Sequence, residues 1–208
     1  MKSGLRRAEK NEQTRRRLLN AARRLFVVHG FHGTSLDAIA EAAGFSKGAV
    51  YSQFDSKADV FLALLADRID DRIAQIRSAL GTGSVTGDVA ATIRQWAAVL
   101  RTDLPWTLLV IEFRIHAARD SALNARYAEL HARFRDAITE MVTGVATDAG
   151  LRSGEIADFV AGQLALGTGA ALERAAAGEE FSDALTERLS VALAEGLQTP
   201  GGRPAHDT

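Results

Sequence analysis

Residues 34–57, TSLDAIAEAAGFSKGAVYSQFDSK, decide how the chain is read. Thr34 or Ser35 is placed to cap a helix, since a short hydroxyl side chain accepts from the free N–H groups of the first turn. Asp37 follows in that turn, where the helix dipole favours negative charge. Leu36, Ile39 and Ala40 fall on one face. Gly44 comes just after the last helical residue, where glycine takes the left-handed conformation that ends a helix sharply. Phe45 is the apolar anchor beyond it. Ser46 caps a second, short helix that carries Val50 and Phe54 inward, and Ser56 caps a third. Ala40, Gly44 and Val50 together have helix-turn-helix spacing: a small residue lets two helices cross closely, a glycine makes the turn, and an apolar residue holds the second helix down.

The outward residues of the second helix are Lys47, Gly48, Ala49, Tyr51, Ser52 and Gln53. A short helix with small or hydrogen-bonding side chains enters a major groove without clash. Lys47 and Gln53 offer donors to bases or phosphates. Tyr51 offers a hydroxyl for phosphate and a ring for thymine methyls. Lys57, in the first turn of the third helix, opposes the dipole there, which points to a phosphate partner. Taken singly, Thr34, Ser46 and Ser56 read as plain caps and Tyr51 as half-buried core. Their coincidence in one window argues for nucleic acid.

Beyond this window the chain has 208 residues, 47% hydrophobic and 25% charged, with no cysteine. This is ordinary globular composition with no disulfide or thiolate chemistry. No apolar run is long enough for a bilayer and no secretory signal begins the chain, so a cytoplasmic location without membrane contact is expected. Only three prolines stand against 38 alanines, which favours an all-α protein. Apolar periodicity predicts helices near 11–29, 35–43, 47–53, 56–80, 88–102, 105–118, 121–147, 154–178 and 182–197, about nine in all. The formal net charge of −1 hides an asymmetry: residues 1–66 hold 11 Lys+Arg against 6 Asp+Glu, and residues 67–208 hold 14 against 20. The positive part coincides with the helix-turn-helix and with a basic N-terminal arm, 1–13, followed by Arg15, Arg16 and Arg17. This run reads either as a solvated face or as an arm touching phosphate or minor groove. The expected organisation is a helix-turn-helix domain over 1–56, a larger helical domain over 57–198 and a disordered tail over 199–208.

Thr14–Leu65 resembles the N-terminal DNA-binding domain of the TetR family of bacterial transcriptional regulators. The residues that carry the resemblance are Ala21-Ala22, Leu25-Phe26, Gly30-Phe31, Thr34, Ile39-Ala40, Ala43-Gly44-Phe45-Ser46-Lys47-Gly48, Val50-Tyr51, Phe54 and Ser56-Lys57. Gln53 departs from the histidine or tyrosine often found there. The resemblance implies that the 47–53 helix reads the major groove, while Thr34, Ser35 and Lys57 grip the backbone. It further implies a homodimer on a palindromic double-stranded operator. The helical C-terminal domain would dimerise and bind a small-molecule inducer, and regulation is usually repression.

The C-terminal region carries weaker signals. Residues 159–172 are helical in spacing but rich in glycine, which suggests close helix approach. Phe159, Gly162, Leu166, Gly169, Ala170, Leu185, Leu189 and Leu193 are candidates for a dimer interface, or for packing within one subunit. Trp96, Leu100, Trp106, Val110, Phe113, Arg114, His116, Tyr127, His131, Phe134 and Gln163 are candidates for an aromatic-lined ligand pocket, or for ordinary core and surface. Glu112 and His116 share a helical face, but no third metal ligand has suitable spacing. No nucleophile elbow, phosphate loop or zinc-helix motif occurs, and no cofactor is expected. The competing class, a helical small-molecule carrier or enzyme without DNA binding, leaves residues 34–57 unexplained.

Overall fold

The computed structural model describes residues 2–81, 103–148, 153–177 and 181–198. These form eight helices: α1 (Lys2–His29), α2 (Leu36–Ala43), α3 (Lys47–Tyr51), α4 (Lys57–Gly81), α5 (Leu104–Ala117), α6 (Ser121–Asp148), α7 (Ser153–Ala177) and α8 (Asp183–Gln198). The secondary structure of the described residues is all helical, as the proline and alanine content predicts. The helix expected at 88–102 and the tail expected at 199–208 lie outside the described residues.

Two boundaries differ from expectation by more than one residue. α1 is helical from Lys2, so the segment expected as an arm is the first part of a 28-residue helix. Its leucine, arginines, alanine, glutamates and lysines are good helix formers. Apolar periodicity, which finds only a face to bury, could not see that stretch. α3 stops at Tyr51 rather than Gln53. Ser52 takes the C-cap position, with its N–H bonded to Gly48 O and its hydroxyl donating to Ala49 O at 2.8 Å.

The chain divides into two compact units, Met1–Asp71 with Leu108–Leu130, and Arg72–Thr107 with His131–Thr208. In the first, Leu18, Ala22 and Phe26 of α1, Ile39 and Ala40 of α2, Val50 of α3 and Phe61 of α4 are buried. Aromatic rings tie this unit together. Phe31 stacks on Phe26 at 5.8 Å and meets Phe61 and Phe113 edge-on, while Phe61 and Phe113 stack at 4.1 Å. Such contacts contribute about 0.5–1.5 kcal/mol each beyond their area.

In the second unit, Ile76, Ile138, Val142, Ile156, Phe159, Val160 and Ala194 form a buried cluster. Phe134 and Leu193 pack against it. Gly162 brings α7 close to α8, because a Cβ there would lie 2.8 Å from Leu193 Cδ2. Buried Ser190 is satisfied by Gln163: its hydroxyl donates to Gln163 Oε1 at 3.0 Å, and Gln163 Nε2 donates to Ser190 O.

Candidate nucleic-acid interface

The helix-turn-helix follows from local chemistry. Ser35, rather than Thr34, caps α2: its hydroxyl accepts from Ala38 N at 3.1 Å. Thr34 is buried, and its hydroxyl donates to Gly30 O at 2.9 Å. Gly44 ends α2 at φ 73°, ψ 33°, with its N–H bonded to Glu41 O and Phe45 N bonded to Ala40 O. Arg17 reinforces this end from α1. Its guanidinium donates to Ala43 O and lies 4.9 Å from the centre of the Phe45 ring. Ser46 occupies the N-cap of α3 without a side-chain cap bond.

α3 presents the expected face. Val50 is buried, Ser46, Lys47, Gly48, Tyr51 and Ser52 are exposed, and Ala49 and Gln53 are half-buried. Tyr51 is 54% exposed, which sets aside the core reading of its side chain. Lys47 pairs with Asp37, whose hydrogen bond and charge raise the lysine pKa. The ammonium therefore stays charged at the mouth of the turn. Gln53 donates to Asn11 of α1, so it fastens the segment just after α3 to the first helix. Arg15 lies 4.6 Å from the Phe54 ring centre, and exposed Arg16 faces Glu12 at 4.0 Å. Arg15, Gln53, Phe54, Asp55, Arg126 and Glu129 border a cleft of about 390 Å³ beside α3. None of the expected pocket residues lines it.

Lys57 turns inward. It is half-buried, donates to His32 O at 3.3 Å and stands 4.6 Å from the centre of the Phe31 ring. Burial lowers its pKa, opposed by the charge of Glu112. Ser56 caps α4 by accepting from Asp59 N at 3.1 Å and donating to the Asp59 carboxylate at 2.6 Å. Arg126 of α6 reaches that carboxylate at 2.7 Å. Desolvation pushes the Asp59 pKa up, but the bonds from Ser56 and Arg126 outweigh it and the net direction is down.

The expected pocket residues are dispersed. Phe113, His116 and Tyr127 fill the first unit's aromatic cluster, and Arg114 stands over the Tyr127 ring at 5.7 Å. Burial raises the Tyr127 pKa, with Arg114 opposing. Trp106 is buried, and Val110 and His131 are half-buried. Trp96 and Leu100 lie outside the described residues. Among the described residues, no group of three or more histidine or acidic side chains is arranged to hold a metal. Of the interface candidates, Phe159 and Ala170 are buried, Leu166, Leu185 and Leu193 are half-buried, and Gly169 and Leu189 are exposed.

One contact had no signal in the sequence. Both carboxylate oxygens of Glu112 accept from consecutive backbone amides of the α1–α2 turn, Phe31 N at 2.9 Å and His32 N at 3.0 Å. The partners lie some 80 residues apart, beyond any periodicity.

Among the described residues, these elements define an all-helical architecture whose N-terminal helices carry a helix-turn-helix with an exposed α3 face. Residues 18–64 match the family model for bacterial regulatory proteins of the tetR family. The chain's N-terminal domain is thus a TetR-family DNA-binding domain, and the chain has that family's fold. The transcriptional activator FasR of Mycolicibacterium smegmatis is 39% identical over 71 residues, 34% of this chain and 32% of that protein. The transcriptional repressor AcnR of Corynebacterium glutamicum is 39% identical over 56 residues, 27% of this chain and 30% of that protein. These matches thus span about a third of either relative's length. Over the whole fold, Salmonella enterica GusR superposes with a TM-score of 0.70 at 21% identity, covering 89% of this chain and 95% of that one. The matched family is one of regulators rather than enzymes.

Proposed function

We propose that the chain is a sequence-specific transcriptional regulator that binds a palindromic operator as a homodimer and is released by a small-molecule inducer. The observation that carries this reading is α3: a short helix anchored by buried Val50 that presents Ser46, Lys47, Gly48, Tyr51 and Ser52 outward. Those residues suit the major groove, with Tyr51 and Lys47 supplying contacts to phosphate or base edges. Ser35, at the start of α2, and Arg16 supply backbone contacts beside it. Repression is the mode we propose, because it needs only occupancy of DNA, whereas activation also needs a contact to the transcription machinery.

The dimer is proposed to form through α7 and α8. Leu172 is 47% exposed and Leu189 is 40% exposed. Among the described residues, no heavy atom beyond its own helix lies within 4 Å of where a Cβ on Gly169 would be. Gly169 and Leu172 of α7 and Leu189 of α8 are the residues proposed to meet the partner copy. Inducer binding is proposed in the C-terminal helices, with Trp106 as a wall residue, and with greater affinity for the conformer that does not fit DNA. Binding of duplex DNA, followed by fluorescence anisotropy from low to high salt, tests the regulator reading. A steep loss of affinity with salt is expected, because neutralised phosphates release counterions. Absence of binding at any salt concentration would refute it.

A further inference from the structure

We infer that Glu112 is a positioning residue for DNA binding: its carboxylate clamps the α1–α2 turn and thereby sets the angle at which α2 presents the reading helix. This rests on the regulator reading above. The turn, residues 30–35, is held from several sides by groups of different sign. Its N–H groups at Phe31 and His32 go to the two oxygens of Glu112, at 2.9 and 3.0 Å. Its carbonyl at His32 accepts from Lys57 at 3.3 Å. Its carbonyl at Gly30 accepts from the Thr34 hydroxyl at 2.9 Å, immediately before the Ser35 cap of α2.

Gly30 shows how closely the carboxylate is seated. It has φ 73°, and a Cβ there would lie 2.8 Å from Glu112 Oε2 and 3.3 Å from Oε1. Glycine is therefore required twice, for its backbone conformation and to admit the carboxylate. The side chain of the clamped residue is locked as well. Phe31 lies between Phe26, Phe61 and Phe113, with His116 at 5.0 Å, so the turn cannot swing without unpacking α5. A carboxylate that accepts two adjacent amides cannot be replaced by an amide side chain, whose nitrogen would face an N–H donor. Glu112 is thus fitted to hold the turn and not merely to fill space.

The test uses the full chain and a duplex enriched from a random DNA pool. Glu112→Gln is expected to weaken binding about 10-fold, the effect of losing a hydrogen bond to a charged group. Amide exchange at Phe31 and His32 should accelerate by at least about 10-fold in the same variant. Gly30→Ala, which displaces the carboxylate, should weaken binding to a similar degree. Because both variants break one contact, the double variant should bind no more weakly than the poorer single one. General destabilisation would instead give additive losses. Wild-type affinity in Glu112→Gln, or additive losses in the double variant, would overturn the inference. If Gly30→Ala does not fold, Glu112→Asp, which retracts the carboxylate by one methylene, is measured beside Glu112→Gln, and exchange at Phe31 and His32 that stays at the wild-type rate in both variants would overturn the inference. If the wild-type chain binds no DNA, the regulator reading fails by itself. Amide exchange then decides the clamp alone, and unchanged exchange in Glu112→Gln would overturn it.

Discussion

Replacing Gly44 with alanine tests whether the turn between α2 and α3 is specified as described. Gly44 stands at φ 73°, ψ 33°, a conformation that disfavours a Cβ by about 1–2 kcal/mol. Steric crowding adds little, because the nearest atom to a new Cβ is Arg17 Nη2 at 3.8 Å, an ordinary contact. The conformational cost therefore stands nearly alone, and Gly44→Ala should lose roughly 1–1.5 kcal/mol. Asparagine enters the left-handed region more readily, so Gly44→Asn should lose about half as much. Gly33→Ala gives a contrast, since its Cβ would sit 2.3 Å from His29 O and the backbone must move. Urea denaturation followed by far-UV circular dichroism measures the three losses. The expected order of stability is wild type, Gly44→Asn, Gly44→Ala, Gly33→Ala. A Gly44→Ala protein as stable as wild type would refute the reasoning, because the left-handed stop would not be needed to end α2.

Three further outcomes follow from the same geometry. Tyr51→Ala should weaken operator binding by about 1–3 kcal/mol and leave helical content unchanged, since the side chain is largely exposed; Tyr51→Phe, measured beside it by anisotropy, separates the hydroxyl from the ring. Arginine at both Leu172 and Leu189 should convert a dimer to a monomer in sedimentation velocity, while a dimer that persists would place the interface elsewhere. Asp59 has a depressed pKa in the folded chain, so its contribution is present above the unfolded value of about 3.9 and is lost as pH falls through the folded one. Asp59→Asn should accordingly flatten the loss of stability in that acid window, read from melting temperatures.

The helix-turn-helix was legible because its signals are local. Caps, a turn glycine and inward apolar residues lie within a few positions of each other, and Ser35, Gly44 and Val50 stand where that spacing puts them. The first part of α1 was missed because a helix with little to bury shows no apolar period. Lys57 looked phosphate-facing because its placement in a first turn is unfavourable alone; the partners that hold it, His32 and Phe31, come from another element. Phe113, His116 and Tyr127 looked like a pocket wall because aromatic rings line pockets and cores alike. Only their mutual distances show them filling space. Gln163 was ambiguous for the same reason, and its partner Ser190 lies 27 residues away. The Glu112 clamp joins residues farther apart still, where spacing carries no information.

Selection of duplexes from a random DNA library by the full-length chain tests the central claim most directly. The account predicts enrichment of an inverted repeat whose half-sites are centred about one helical turn, roughly 34–36 Å, or a multiple of it apart. It further predicts that the enriched sequence loses its advantage when α3 carries Tyr51→Ala. A library that shows no enrichment, or an enriched site without two-fold symmetry, would contradict it.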